Sequence, residues 1–156
     1  MRAFAAFLIA LCAAAEAQDR ETVAVSVTPA KADVRVGSSA HATLLISVAK
    51  GWHINSAAPA DSELVATAIA WTAPPGLAVA AVRFPAASRK VLAFSASPLE
   101  VYEGTVPVAL EISAAEGTAP GEYAIPVDLS YQACNNDVCL PPAALRVTLP
   151  VRVLSP

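Results

Sequence analysis

The stretch Ile125-Pro126-Val127-Asp128-Leu129-Ser130-Tyr131-Gln132-Ala133-Cys134 decides the fold class. Ile125, Val127, Leu129, Tyr131 and Ala133 share one parity and form an apolar row, while Pro126, Asp128, Ser130, Gln132 and Cys134 share the other. Successive side chains of a strand point to opposite faces, so this alternation describes a β-strand with one face in a core. By the same parity Cys134 falls on the solvent-side row, whereas a cysteine kept only for packing is more often buried.

Working outward from this strand, the rest of the chain repeats the same reading. Tyr123 to Ala133 and Leu145 to Leu154 are its clearest strands, and Val23 to Val27 alternates until Pro29. Val34-Arg35-Val36 runs into the turn Gly37-Ser38-Ser39, and Ala42 to Ala49 is ended by Lys50-Gly51. Val65, Thr67, Ile69 and Trp71 share a parity before the Pro74-Pro75-Gly76 break, with a helix over Ala57 to Ala70 as the second choice. Leu77 to Phe84 is a strand, Val91 to Phe94 a short one, and Val101 to Ile112 a long strand or a bent pair interrupted at Gly104. Short strands between closely spaced turn signals, without alternating amphipathic helices, predict an all-β, immunoglobulin-like antiparallel β-sandwich.

Composition narrows the function. The chain has 156 residues, 56% of them hydrophobic and 15% charged, with a net charge of -3 and only two histidines. That is one domain with a real core and no tendency to disorder. Its Lys and Arg residues are scattered, which argues against a nucleic-acid partner. The two histidines are far apart in sequence, so no Ser-His-Asp set and no four-ligand zinc site can be assembled with confidence. Its glycines stand singly at turns rather than in a phosphate loop. We therefore expect neither a metal nor a cofactor, and the three cysteines carry the remaining chemistry.

The first of them belongs to a leader. Met1-Arg2 is a short positive region, Ala3 to Leu11 an apolar one, and Ala15-Glu16-Ala17 a small-x-small cleavage site. This is the pattern of a secretory signal peptide over residues 1–17, cleaved after Ala17. Lipidation at Cys12 is the lesser alternative, because Leu11 is large where such sites carry a small residue. The domain is then 18–156, exported, not membrane-spanning, and left with Cys134 and Cys139 in a disulfide-permissive setting.

Asn135-Asn136-Asp137 tolerates the left-handed conformations a tight reversal uses. Cys134 and Cys139 then face each other across the neck of a four-residue loop, which makes a disulfide between them geometrically reasonable. Pro141-Pro142 cannot join a regular ladder, so the chain after Cys139 stands at an edge. A bridge closing so short a loop is worth only about 2 kcal/mol, which favours a redox couple over a brace. No Lys, Arg or His lies within the hairpin and Asp137 sits between the cysteines, an environment that does not favour a thiolate.

Tyr131-Gln132-Ala133-Cys134 followed by Asp137-Val138-Cys139-Leu140-Pro141-Pro142 resembles the cysteine motif of the amino-terminal periplasmic domain of the DsbD thiol:disulfide interchange proteins. Gly51-Trp52-His53-Ile54-Asn55-Ser56 and Leu99-Glu100-Val101-Tyr102-Glu103-Gly104 resemble two further stretches of that family, in the same order. The cysteine spacing is one residue shorter than in the best-known members. The resemblance implies a thiol:disulfide oxidoreductase of the protein-disulfide reductase type in the periplasm, standing alone and dependent on a separate membrane electron donor. Its partners would be periplasmic thioredoxin-like proteins, met through transient mixed disulfides, and the domain itself a monomer. Carried over by position, Cys139 exchanges with partners and Cys134 resolves the mixed disulfide. Phe94 is the nearest candidate for a shielding cap residue, with Tyr131 and Tyr102 as supporting aromatics. The rival reading is a secreted immunoglobulin-like binding or adhesion module whose disulfide is purely structural. Trp52, Trp71 and Tyr131 read as packing residues, and His53 and His41 as isolated histidines near strand ends.

Overall fold

The computed structural model describes residues 22–156, apart from 93, 94 and 96. The expected leader, Cys12 and the cap candidate Phe94 therefore lie outside the described residues. Among those described, twelve strands form three four-stranded sheets, and no helix is long and apolar enough to cross a membrane.

The first sheet has the order β1 (Val23–Thr28), β3 (Ser39–Val48), β9 (Thr105–Ala114), β6 (Leu77–Arg83). The second has the order β2 (Ala32–Arg35), β12 (Ala143–Leu154), β10 (Gly121–Tyr131), β5 (Ala68–Trp71). Pairing is antiparallel except between β12 and β2. The inward rows of both sheets meet in one core, where Leu44, Ile46, Leu110, Ile125, Leu129 and Leu149 are all buried. Burying each such side chain is worth about 1.5–3 kcal/mol, so the alternation that reads as strand in the sequence is also what holds the two layers together. The fold is an immunoglobulin-like β-sandwich.

The third sheet is small and positions the site. Its order is β11 (Ala133–Cys134), β4 (His53–Asn55), β8 (Leu99–Tyr102), β7 (Ser88–Lys90). Ile54 pairs with both Ala133 and Tyr102, and all three belong to the main core. Alternation then sends His53, Asn55, Cys134 and Val101 to the opposite face. There Leu92, Leu99 and Val101 form a second, smaller apolar cluster under Leu64. Gly104, with φ of 62°, lets the chain leave β8 and enter β9 in a different sheet, so the expected long strand is a bent pair.

Two expected elements differ. A short strand lies at Ser88–Lys90, and Val91 and Leu92, the described part of the expected Val91 to Phe94 strand, are not in it: β8 begins at Leu99, opposite Lys90, and Val91 is exposed. Only Ala68–Trp71 of the run from Val65 is strand, and no helix forms over 57–70. Thr67 instead ties the preceding segment down: its N–H donates to the Ser56 carbonyl at 3.1 Å and its hydroxyl to the Asn55 carbonyl at 2.5 Å.

Candidate redox site

β10 stays in register with β12 as far as Tyr131, which pairs with Ala143. At Gln132 the chain leaves that ladder, and Ala133 and Cys134 join β4 in the third sheet. The Gln132 Nε2 donates to the Leu140 carbonyl at 3.0 Å and the Leu140 N–H to the Ala133 carbonyl at 2.9 Å, closing the neck of the hairpin. The reversal uses no left-handed residue outside glycine among the described residues. Asn135 makes the turn through its side chain: Oδ1 accepts from the N–H groups of Asp137 and Val138, each at 2.8 Å. Its own N–H donates to the Val138 carbonyl at 2.9 Å. This Asx-type geometry replaces the left-handed turn expected from the sequence.

Cys134 and Cys139 are paired across the neck, with Cα atoms 4.0 Å apart, and their sulfurs are bonded at 2.00 Å. The two are unequal. Cys139 is exposed, whereas Cys134 is only 2% exposed. The expectation that Cys134 lies on the solvent-side row is therefore wrong. Parity carries through Gln132 only where one strand continues, and here the change of sheet covers both faces: Ala133 meets the main core and Cys134 the face shared with His53.

His53 is the residue that reading the hairpin alone does not find. It lies opposite Cys134 in the β4–β11 register, and directly opposed residues of an antiparallel pair share a face with Cβ atoms about 4.5–5.5 Å apart. The imidazole is buried at 1% exposure, and neither ring nitrogen has a hydrogen-bond partner among the described residues. Burial holds its pKa below the ordinary 6.5, the Lys90 ammonium adds to this, and the Glu103 carboxylate opposes it. Lys90 and Glu103 are themselves ion-paired beside it. The imidazole is therefore neutral at neutral pH. The only sequence signal for it is the stretch Gly51 to Ser56, which points to a motif but not to a contact.

The other candidates frame the site. Tyr131 is 1% exposed and packs in the main core. Tyr102 is buried too; its ring stacks on Phe84 at 5.8 Å, and its hydroxyl donates to the Pro85 carbonyl at 3.3 Å and accepts from the Ala57 N–H at 3.5 Å. Tyr102 thus fastens the segments that follow β6 and β4. Asn55 Nδ2 donates to the Val65 carbonyl at 2.9 Å, holding the segment over the His53 face. Trp52 packs against the main core, while Trp71 on the edge strand β5 is 40% exposed.

Such an arrangement can do one kind of chemistry directly. Cys139 is the more exposed of the two cysteines, and access is one of the factors that decides which sulfur of a disulfide is attacked. The fold and the site thus define an immunoglobulin-like domain with a disulfide between one exposed and one buried cysteine.

The chain belongs to the family of the N-terminal domain of the thiol:disulfide interchange protein DsbD, which matches it over residues 19–150. Among solved structures, the N-terminal periplasmic domain of ScsB from Proteus mirabilis is similar in fold, with a TM-score of 0.56 and 21% identity. That match covers 85% of this chain and 47% of the other, so this chain spans about half the length of the ScsB domain. The reduced N-terminal domain of Neisseria meningitidis DsbD is 19% identical over 69% of this chain and 74% of its own, with a TM-score of 0.46. No curated protein sequence matches the chain. Family membership makes this a thiol:disulfide interchange domain in the broad sense.

Proposed function

We propose that the protein is an exported, periplasmic thiol:disulfide oxidoreductase domain that hands two electrons to disulfide-bonded, thioredoxin-like partners through Cys139 and Cys134. The observation that carries this reading is the unequal exposure of the two cysteines. In the reduced form, the Cys139 thiolate attacks a partner disulfide; a Cys139–partner bond forms, the partner disulfide breaks, and one partner sulfur leaves as a thiolate. Cys134 then attacks the Cys139 sulfur, the mixed disulfide breaks, and the second partner thiolate leaves. The dithiol is oxidised by two electrons and the partner disulfide is reduced by two. A separate membrane electron donor restores the dithiol. A leader over residues 1–17, removed after Ala17, delivers residues 18–156 to that compartment. The domain acts as a monomer, and Tyr102 and Tyr131 support the site from the core side.

Replacing Cys134 with Ala should leave Cys139 able to attack and unable to be released. Covalent complexes with thioredoxin-like periplasmic proteins should then accumulate, visible on non-reducing gels and lost on adding reductant. Absence of such complexes, with the Cys134→Ala, Cys139→Ala double variant folding normally, would sink the proposal.

A further inference from the structure

We propose that His53 is the proton acceptor for Cys134 when that buried cysteine resolves the mixed disulfide. The inference rests on the interchange reading above and adds a chemical group to it.

The imidazole of His53 is buried, and neither of its nitrogens has a hydrogen-bond partner among the described residues. Leaving a buried polar group unpaired is costly, so such a group calls for an explanation. The register supplies one, because the residue opposite His53 on the same face is Cys134. In the disulfide form the Cys134 sulfur carries no proton and is only a weak acceptor, so the imidazole gains no partner from it. Reduction creates an S–H donor at that position, within the reach of a cross-strand pair. The partner of His53 thus exists in one redox state only.

The resolving step needs such a group. Cys139 is exposed, and solvent can stabilise its thiolate. Cys134 is enclosed, and burial disfavours a thiolate. Among the described residues, the neutral imidazole opposite it in the β4–β11 register is suited to take the proton. The charged groups acting on His53 are Lys90 from β7 and Glu103 just after β8, and Cys134 from β11 is its titratable neighbour. In the proposed step the Cys134 proton moves to a His53 nitrogen. The Cys134 thiolate forms the bond to the Cys139 sulfur, the Cys139–partner bond breaks, and the partner sulfur leaves with the electron pair. The imidazolium then gives its proton to the departing thiolate or to water, which restores neutral His53.

The test separates the two thiol steps with dithiobis(nitrobenzoate) as the probe. Added in excess to reduced protein, it releases one coloured thiolate when Cys139 attacks and a second when Cys134 resolves. Wild type should show a second-phase rate that is nearly flat between about pH 6 and about pH 8, because neutral His53 replaces hydroxide as acceptor. In His53→Phe and His53→Gln the second phase should slow by roughly 10²-fold at neutral pH and regain about tenfold per pH unit, the ratio to the first phase being the readout. Parallel pH profiles in wild type and both variants overturn the proposal. Should neither variant fold, the wild-type profile decides: a plateau supports His53, and a rise of about tenfold per unit across that range overturns it. Failure of Cys134→Ala to trap partner proteins would remove the interchange function and leave this two-phase profile intact, so the two failures are distinguishable.

Discussion

Reducing the Cys134–Cys139 bond, with no mutation, should cost the folded domain little. The bond joins residues separated by 5 in sequence, and the loop-closure entropy it removes from the unfolded chain is worth about 2 kcal/mol, against about 4.7 for a hundred-residue loop. The native hairpin keeps its other ties after reduction: Leu140 N–H to the Ala133 carbonyl at 2.9 Å, Gln132 to the Leu140 carbonyl at 3.0 Å, and the Asn135 turn. The sulfur of Cys134 stays where it is, so no cavity opens. For a domain of this size, about 2 kcal/mol lowers Tm by about 7 °C and the urea midpoint by about 1 M. By linkage, folding makes the disulfide harder to reduce by only about 40 mV relative to the unfolded chain, which leaves the couple open to exchange. The assay is urea unfolding, followed by far-ultraviolet circular dichroism and tryptophan fluorescence, of oxidised and dithiothreitol-reduced protein. A loss above about 4 kcal/mol, or disappearance of the cooperative transition on reduction, would refute the reasoning. It would show the bond to be a brace and favour the structural-disulfide binding module.

Three other outcomes follow from the same geometry. In the reduced protein iodoacetamide should modify Cys139 at least about tenfold faster than Cys134, by mass spectrometry of timed samples; equal rates would contradict the sheltering of Cys134. Because burial holds the His53 pKa below 6.5, the unfolded chain binds more protons there than the folded one. Its share of stability is complete above 6.5 and is lost as pH falls from there through the lower folded-state pKa. Urea midpoints of wild type should therefore drop more than those of His53→Phe on acidification from about pH 7 to about pH 5, and parallel curves would count against the buried neutral imidazole. Gly76 has φ of 86°, and a Cβ there would sit 2.6 Å from the Thr118 Oγ1, whereas Gly51 has φ of 85° and open space around it. Gly76→Ala should thus cost about 2–3 kcal/mol and Gly51→Ala about 1, measured by the same unfolding curves; equal costs would rule out the contact.

Legibility in the sequence tracks one-sided burial. β10 and β3 alternate between the core and the outside, and their patterns could be read directly from residue types. β4 and β11 have three and two residues, every one of them buried, so neither carries an alternating signal. Both strands that carry the site are of this kind. The hairpin, its neck and the pairing of its cysteines follow from local spacing, because all of their partners lie within a few residues. His53 does not, since its relation to Cys134 is made only by strand pairing between distant parts of the chain. Val91 shows the converse error: a β-branched residue favours a strand, but no partner residue faces it.

The misplacement of Cys134 has a physical reason that bears on the chemistry. A strand in one sheet with one face in the core offers its residues either the interior or water. A pair of cysteines at the neck of a regular hairpin on such a sheet shares one face, so both sulfurs would be sheltered or both would be reachable. An asymmetric couple needs its first cysteine covered on the side away from the main core while the second stands free. The break at Gln132 achieves this by moving Ala133 and Cys134 from the β10 ladder onto β4. The same move brings Cys134 opposite His53. The local irregularity that defeats the parity argument is therefore also what differentiates the two sulfurs and what gives the buried one a neighbouring base.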